Sequence, residues 1–209
     1  MTDADRSAAT LYQVASILLQ YPDDEVLGRL PLVRTAVETL PGVAAAALVP
    51  LLDRLETTPP ITLQTDYVEL FDLRRRCCLY LTYYAYGDTR KRGMALLAFK
   101  HAYRKAGMVL ADSELPDHLA VVLEFAATAD LEAGRKLLLE NRAGLELLGL
   151  ALRDADSPYA GVVTAVSGTL PRLRGDERDV VRRLVAEGPP GEDVGLEPFA
   201  PPDYMGAGR

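Results

Sequence analysis

Apolar residues recur at helical spacing along almost the whole chain. Leu11, Val14, Leu18 and Tyr21 form a first stripe, which Pro22 closes. Asp23, Asp24 and Glu25 follow where a new helix N-terminus welcomes negative charge. Pro31, Pro41 and Pro50 divide the next stretch into short helices around 32–40 and 43–55, and Thr57-Thr58-Pro59-Pro60 is a break. From Thr62 a helix is expected to Phe71, with Leu63, Tyr67, Leu70 and Phe71 inward. A polar interruption, Asp72 to Arg76, precedes a very apolar run read as a helix over 77–86, ended by Gly87, a residue free to adopt a left-handed conformation. Asp88 is placed to cap a helix running to Gly107, with Leu96, Phe99, Tyr103 and Ala106 on one stripe. Further helices are expected over 116–129, over 131–153 with a bend at Gly144 or Gly149, over 159–170 behind Ser157-Pro158, and over 176–187.

No segment alternates with the period of a strand, so the chain reads as all-α: one bundle of about eight or nine helices over residues 1–188. Residues 189–209 hold five prolines and four glycines and read as an extended or flexible tail. Length and composition agree. The 209 residues suit one domain, and 49% hydrophobic content supplies a core. That content is rich in Ala and Leu and poor in aromatics (7%), which favours helices.

The net charge of −7, with 30 acidic and 23 basic side chains, disfavours nucleic acid as a partner. The uncharged runs stop short of the ~18 residues a membrane helix needs. With acidic residues at the start and only the adjacent Cys77 and Cys78, a reducing, cytoplasmic setting is expected. The two cysteines, set in an apolar run, are read as buried hydrophobes.

Motifs for phosphate loops, dinucleotide folds, serine hydrolases and zinc proteases are absent, so no catalytic residue, cofactor or metal is assigned. Glu114, Asp117 and His118 form one small polar cluster. It suits an acid–base or metal site in a helical enzyme, or simply a helix start with acids at the positive dipole end. Six tyrosines crowd residues 67–103; they are either core residues whose hydroxyls reach the rim, or the wall of a peptide groove. Between Arg74 and Lys105 stand nine Lys or Arg residues and one acid, Asp88. This is either a solvated face or a receiver for an anionic group.

The strings Tyr67…Phe71-Asp72, Gly87-Asp88-Thr89-Arg90-Lys91-Arg92-Gly93, Tyr103…Gly107 and Glu114-Leu115-Pro116-Asp117-His118-Leu119, running on to Leu123-Glu124, together resemble the nitrate reductase delta subunit family. These are NarJ-type molybdenum cofactor assembly chaperones of the broader TorD-like redox enzyme maturation group. The resemblance covers roughly residues 11–150. It implies a TorD-like helical chaperone, not an enzyme, that binds the catalytic (alpha) subunit of a respiratory molybdenum nitrate reductase, or of another molybdenum reductase. The N-terminal peptide of that subunit is the expected contact, with support for cofactor insertion and membrane assembly the expected role. On that basis a helix-in-groove mode is expected beside residues 67–86. Tyr67, Phe71, Leu79 and Tyr83 would give apolar contact, and Asp72, Asp88 and Asp117 would meet basic side chains of the peptide. Arg75, Arg90 and Arg92 would tie loops by pairing with Asp72, Asp88 or Glu114, and His118 completes the set.

Overall fold

A computed structural model of the chain describes residues 2–110, 114–172, 175 and 179; the helix expected over 176–187, apart from Asp179, and the tail over 189–209 lie outside them. Eleven α-helices stand among the described residues. They are α1 (Asp3–Leu18), α2 (Asp24–Gly28), α3 (Leu30–Glu38), α4 (Gly42–Thr57), α5 (Pro60–Tyr67), α6 (Tyr83–Tyr86), α7 (Arg90–Lys105), α8 (Leu119–Thr128), α9 (Leu131–Glu140), α10 (Arg142–Asp154) and α11 (Tyr159–Gly168). The described residues form no sheet, only one isolated antiparallel bridge between Tyr80 and His118.

Most helix starts follow from local chemistry. Thr2 and Asp5 cap each other across the first turn of α1, and Asp23 accepts from the Val26 N–H at the start of α2. Ser157 accepts from the Tyr159 N–H at the head of α11. The helix expected around 43–55 is α4, which continues through Pro50. Pro50 lies inside α4 on the exposed side, as does Ala46, whose carbonyl loses its usual donor and faces water instead.

The core is built on α8, which packs against α1 and α9. Leu119, Val122, Leu123 and Phe125 are enclosed nearly all round, as an apolar central helix requires. Leu11, Tyr12, Val14, Ala15 and Leu18 supply the facing stripe of α1; Tyr21, expected on the same stripe, lies beyond the helix end and is exposed. On the other side α11 packs against α4 and α10, and the Tyr12 hydroxyl lies 2.6 Å from Thr169 Oγ1, joining the two halves.

Three other expectations are corrected. The single helix over 77–86 does not form. Arg75–Cys77 is one tight helical turn, residues 78–80 form an extended piece ending in the bridge at Tyr80, Leu81 and Thr82 turn, and only Tyr83–Tyr86 is α-helical. The extended piece is stabilised by pairing: Leu119 N–H donates to the Leu79 carbonyl (2.8 Å) and Leu81 N–H to the Asp117 carbonyl (3.1 Å). The long helix over 131–153 is two helices. Asn141 separates them, its Nδ2 donating to the Leu137 carbonyl at the end of α9. Pro116 opens no helix; α8 starts at Leu119, and its N-cap is His118. The helix from Thr62 is present but opens into a wide π turn over Val68–Asp72, with Leu63, Tyr67, Leu70 and Phe71 buried as expected. Gly87 has φ +54°, the positive value its place after α6 called for.

Among the described glycines, Gly161 makes the tightest approach: where α11 crosses α4, a Cβ on it would stand 1.9 Å from the Ala47 carbonyl oxygen. Gly161→Ala is therefore expected to destabilise the protein by about 2 kcal/mol or more despite the better helix propensity of alanine. Gly168→Ala, at the end of the same helix with nothing within 4 Å, is the matched control and should be neutral. Urea unfolding of both variants checks this, and equal midpoints would refute the close crossing.

Candidate functional site

The motif residues meet at the junction between the extended piece and the turn before α8. Asp117 is wholly enclosed, at 0% exposure. Its Oδ2 accepts from the Thr82 N–H (3.1 Å) and from Thr82 Oγ1 (2.5 Å), and lies 3.6 Å from Arg92 Nη2. Arg92 also donates to Asp88 (2.8 Å) and to Thr82 Oγ1 (3.2 Å), and its guanidinium sits 5.3 Å from the Tyr80 ring centre. Asp88 is thus the ion-pair partner of Arg92 rather than a helix cap; Thr89 takes the N-cap position of α7, without a side-chain bond. Tyr103 reaches across from α7 and donates to the Pro116 carbonyl at 2.6 Å. The turn 114–118 is held from three sides.

His118 caps α8: its Nδ1 accepts from the Ala120 N–H at 3.3 Å, and its ring meets Tyr80 edge-on at 5.2 Å. Burial lowers the His118 pKa below its usual 6.5, outweighing the pull of Glu114 and Asp117. Asp117 and His118 Nδ1 are therefore engaged by Thr82, Arg92 and Ala120 within the chain, the helix-start arrangement rather than a free acid–base or metal cluster.

A second group of rings stands beside this junction. Tyr67 packs against Tyr21 (5.6 Å between centroids), Phe71 (4.7 Å) and Tyr159 (6.1 Å), and its hydroxyl donates to the Leu19 carbonyl at 2.8 Å. Burial raises the Tyr67 pKa well above 10, so the hydroxyl stays a donor.

Between the two groups lies a groove of about 660 Å³. Tyr21, Val26, Tyr67, Tyr80, Val121 and the loop residues Met108–Leu110 give it an apolar wall. Asp23, Glu114 and Glu124 give it carboxylates, and no Lys or Arg lines it among the described residues. Of the twelve residues expected to bind a partner, Tyr67, Glu114 and His118 line this groove. Phe71 lies behind Tyr67, and Leu79 is buried in the paired segment. Tyr83 is buried on α6, while Asp72, Arg75 and Arg90 are exposed elsewhere. Asp88, Arg92 and Asp117 form the junction. Sequence reasoning missed Tyr21, Asp23 and Glu124 as groove residues, because their contribution depends on the α1–α2 turn and α8 meeting in space. Burial raises both cysteines' pKa, that of Cys78 to about 11, so they are protonated thiols at neutral pH.

The family model for the nitrate reductase delta subunit matches residues 38–165. The chain belongs to the nitrate reductase delta subunit family. The delta-family match takes in the π turn, the junction and α8, that is, most of the groove. Among curated relatives, the nitrate reductase-like protein NarX of Mycobacterium tuberculosis H37Rv is 46% identical over 162 residues, 76% of this chain. The chain spans about a quarter (24%) of that protein's length. A Bacillus subtilis protein assigned as the nitrate reductase molybdenum cofactor assembly chaperone NarJ is 30% identical over 174 residues, covering 83% of this chain and 94% of its own. The NarJ chaperone of Escherichia coli K12 is 33% identical over 150 residues, covering 70% and 64%. In three dimensions the chain matches a crystal structure from Archaeoglobus fulgidus, assigned as a redox enzyme maturation protein, with a TM-score of 0.56. The match has 24% identity and covers 78% of this chain and 91% of that one. The TorD-like all-helical fold expected from the sequence is the one observed.

The lowered pKa of His118 sets a sign. The unfolded chain binds the His118 proton more readily than the folded one, so stability rises with pH and is lost as pH falls below about 6.5. Protonation also turns the Nδ1 acceptor into a donor and removes the α8 cap. His118→Asn, which keeps a capping oxygen, is expected to flatten the dependence of urea stability between pH 7.5 and 5.5. An unaltered slope would assign the pH response to other groups.

Proposed function

We propose that this chain is an assembly chaperone, not an enzyme, that acts in the cytoplasm on the catalytic subunit of a respiratory nitrate reductase before molybdenum cofactor insertion and membrane assembly. Family membership supports the class, and the NarJ relatives of matching length support the client. The observation that carries the mechanism is the groove between α2, the 108–110 loop and α8, with aromatic walls, three carboxylates and, among the described residues, no Lys or Arg.

Such a groove suits an apolar or amphipathic peptide bearing Lys or Arg, and the N-terminal segment of the catalytic subunit is the occupant we assign. Apolar side chains would lie against Tyr21, Tyr67 and Tyr80, with basic ones reaching Asp23, Glu114 and Glu124. The rings offer contact area with few torsions to freeze, and the carboxylates add register and selectivity more than affinity. In this reading Asp117, Arg92 and Thr82 position the groove wall without touching the peptide. Of the expected contacts, Tyr67, Glu114 and His118 are retained as peptide-facing. No helix among the described residues is long and apolar enough to cross a membrane.

Calorimetric titration with a synthetic N-terminal peptide of the catalytic subunit tests this. Binding at one site is expected, and Glu114→Gln with Glu124→Gln should weaken it about tenfold, or about 1.4 kcal/mol. Unchanged affinity in that folded double variant would remove the groove from peptide recognition.

A further inference from the structure

Helix α7 stands apart from the rest of the bundle in two ways. Phe99 and Tyr103 are its only fully buried side chains, with Arg92 and Leu96 half-buried on the same side. Its opposite face is exposed, with no described element packed on it. Arg90, Met94, Leu97 and His101 follow one another at helical spacing along that face, and Met94 and Leu97 are 70% and 51% exposed. Arg90, Lys91, Lys100, Arg104 and Lys105 are all exposed around them. The result is a convex strip with two apolar side chains at its centre and cations on both flanks.

Six Lys or Arg residues and no acid lie on α7 itself, five of the six exposed, in a chain whose net charge is −7. Asp130 and Glu140 stand in the cleft that one flank of α7 lines with His101 and Lys105, together with Lys136. Asp88, at the head of the helix, is held by Arg92. Such a cationic face is drawn to a negative surface although the chain as a whole is acidic.

We propose that the outer face of α7 is a peripheral docking surface for an anionic lipid bilayer, distinct from the peptide groove. A broad, fluid, uniformly negative surface accommodates a convex strip that has no cavity along its centre. The long Lys and Arg stems can place their charges among headgroups while Met94 and Leu97 enter the headgroup boundary. Two apolar side chains are too few for lasting insertion, so binding is reversible and governed by salt. The surface would hold the loaded chaperone beside the membrane without anchoring it.

Sedimentation of the full chain with vesicles tests this. Binding is expected to vesicles of 30% phosphatidylglycerol in phosphatidylcholine at 50 mM NaCl, to fall at least tenfold at 500 mM NaCl, and to be absent with phosphatidylcholine alone. Lys91→Glu with Arg104→Glu and Lys105→Glu, all exposed positions, should abolish binding while circular dichroism and peptide titration stay unchanged. Met94→Ser with Leu97→Ser should weaken binding severalfold. No binding to the anionic vesicles at low salt, or equal binding by the charge-reversed variant, overturns the proposal. So would loss of catalytic-subunit binding in that variant without any vesicle binding, which would reassign the face to an acidic protein surface.

Discussion

The buried carboxylate of Asp117 is the contact on which the rest of the site depends. It takes both the backbone N–H and the hydroxyl of Thr82 and draws Arg92 in from α7. A carboxylate placed out of water is costly unless its bonds are made, so this position fixes its partners more strictly than a surface ion pair could. Three pieces of chain are thereby set against one another: the non-helical run 78–82, the head of α7 and the turn before α8. The paired backbone of Leu79, Leu81, Asp117 and Leu119 then follows, as does the meeting of Tyr80 with His118 that shapes the floor of the groove.

Seen this way, the family's motif residues divide into two kinds of work. Asp88, Arg92, Asp117 and Tyr103 hold the junction. Tyr67, Glu114 and His118 face the groove, and His118 does both, since its ring lines the wall while its Nδ1 caps α8. A motif that looks like a list of contacts for a partner is in large part the scaffold behind those contacts. The rings of Tyr67, Phe71 and Tyr159 play the matching part on the opposite wall.

The sequence made much of this legible where the cause is local. Helical periodicity located the stripes of α1, α5 and α7, and Asp23, Ser157 and Gly87 marked boundaries that the structure keeps. It failed where a long-range contact decides. Residues 77–86 have the apolar density of a helix, yet the helix is interrupted over 78–82 because a partner 35 or more residues away offers backbone bonds. Asn141 splits a periodic run because its side chain terminates one helix, a signal weaker than the two glycines that drew attention nearby. The groove needs α2, the 108–110 loop and α8 together, so half of its lining carried no sign in the sequence.

The central claim is that the client occupies this groove and not the more apolar recess between α1, α4 and α11, where Leu11, Val43 and Ala165 are found. Hydrogen–deuterium exchange of the full chain, with and without the catalytic subunit of the nitrate reductase, tests it most directly. The account predicts slower exchange in Tyr21–Val26, Met108–Leu110 and His118–Glu124, with Gly42–Ala47 and Thr164–Thr169 unaffected. Protection confined to the latter two segments would contradict it.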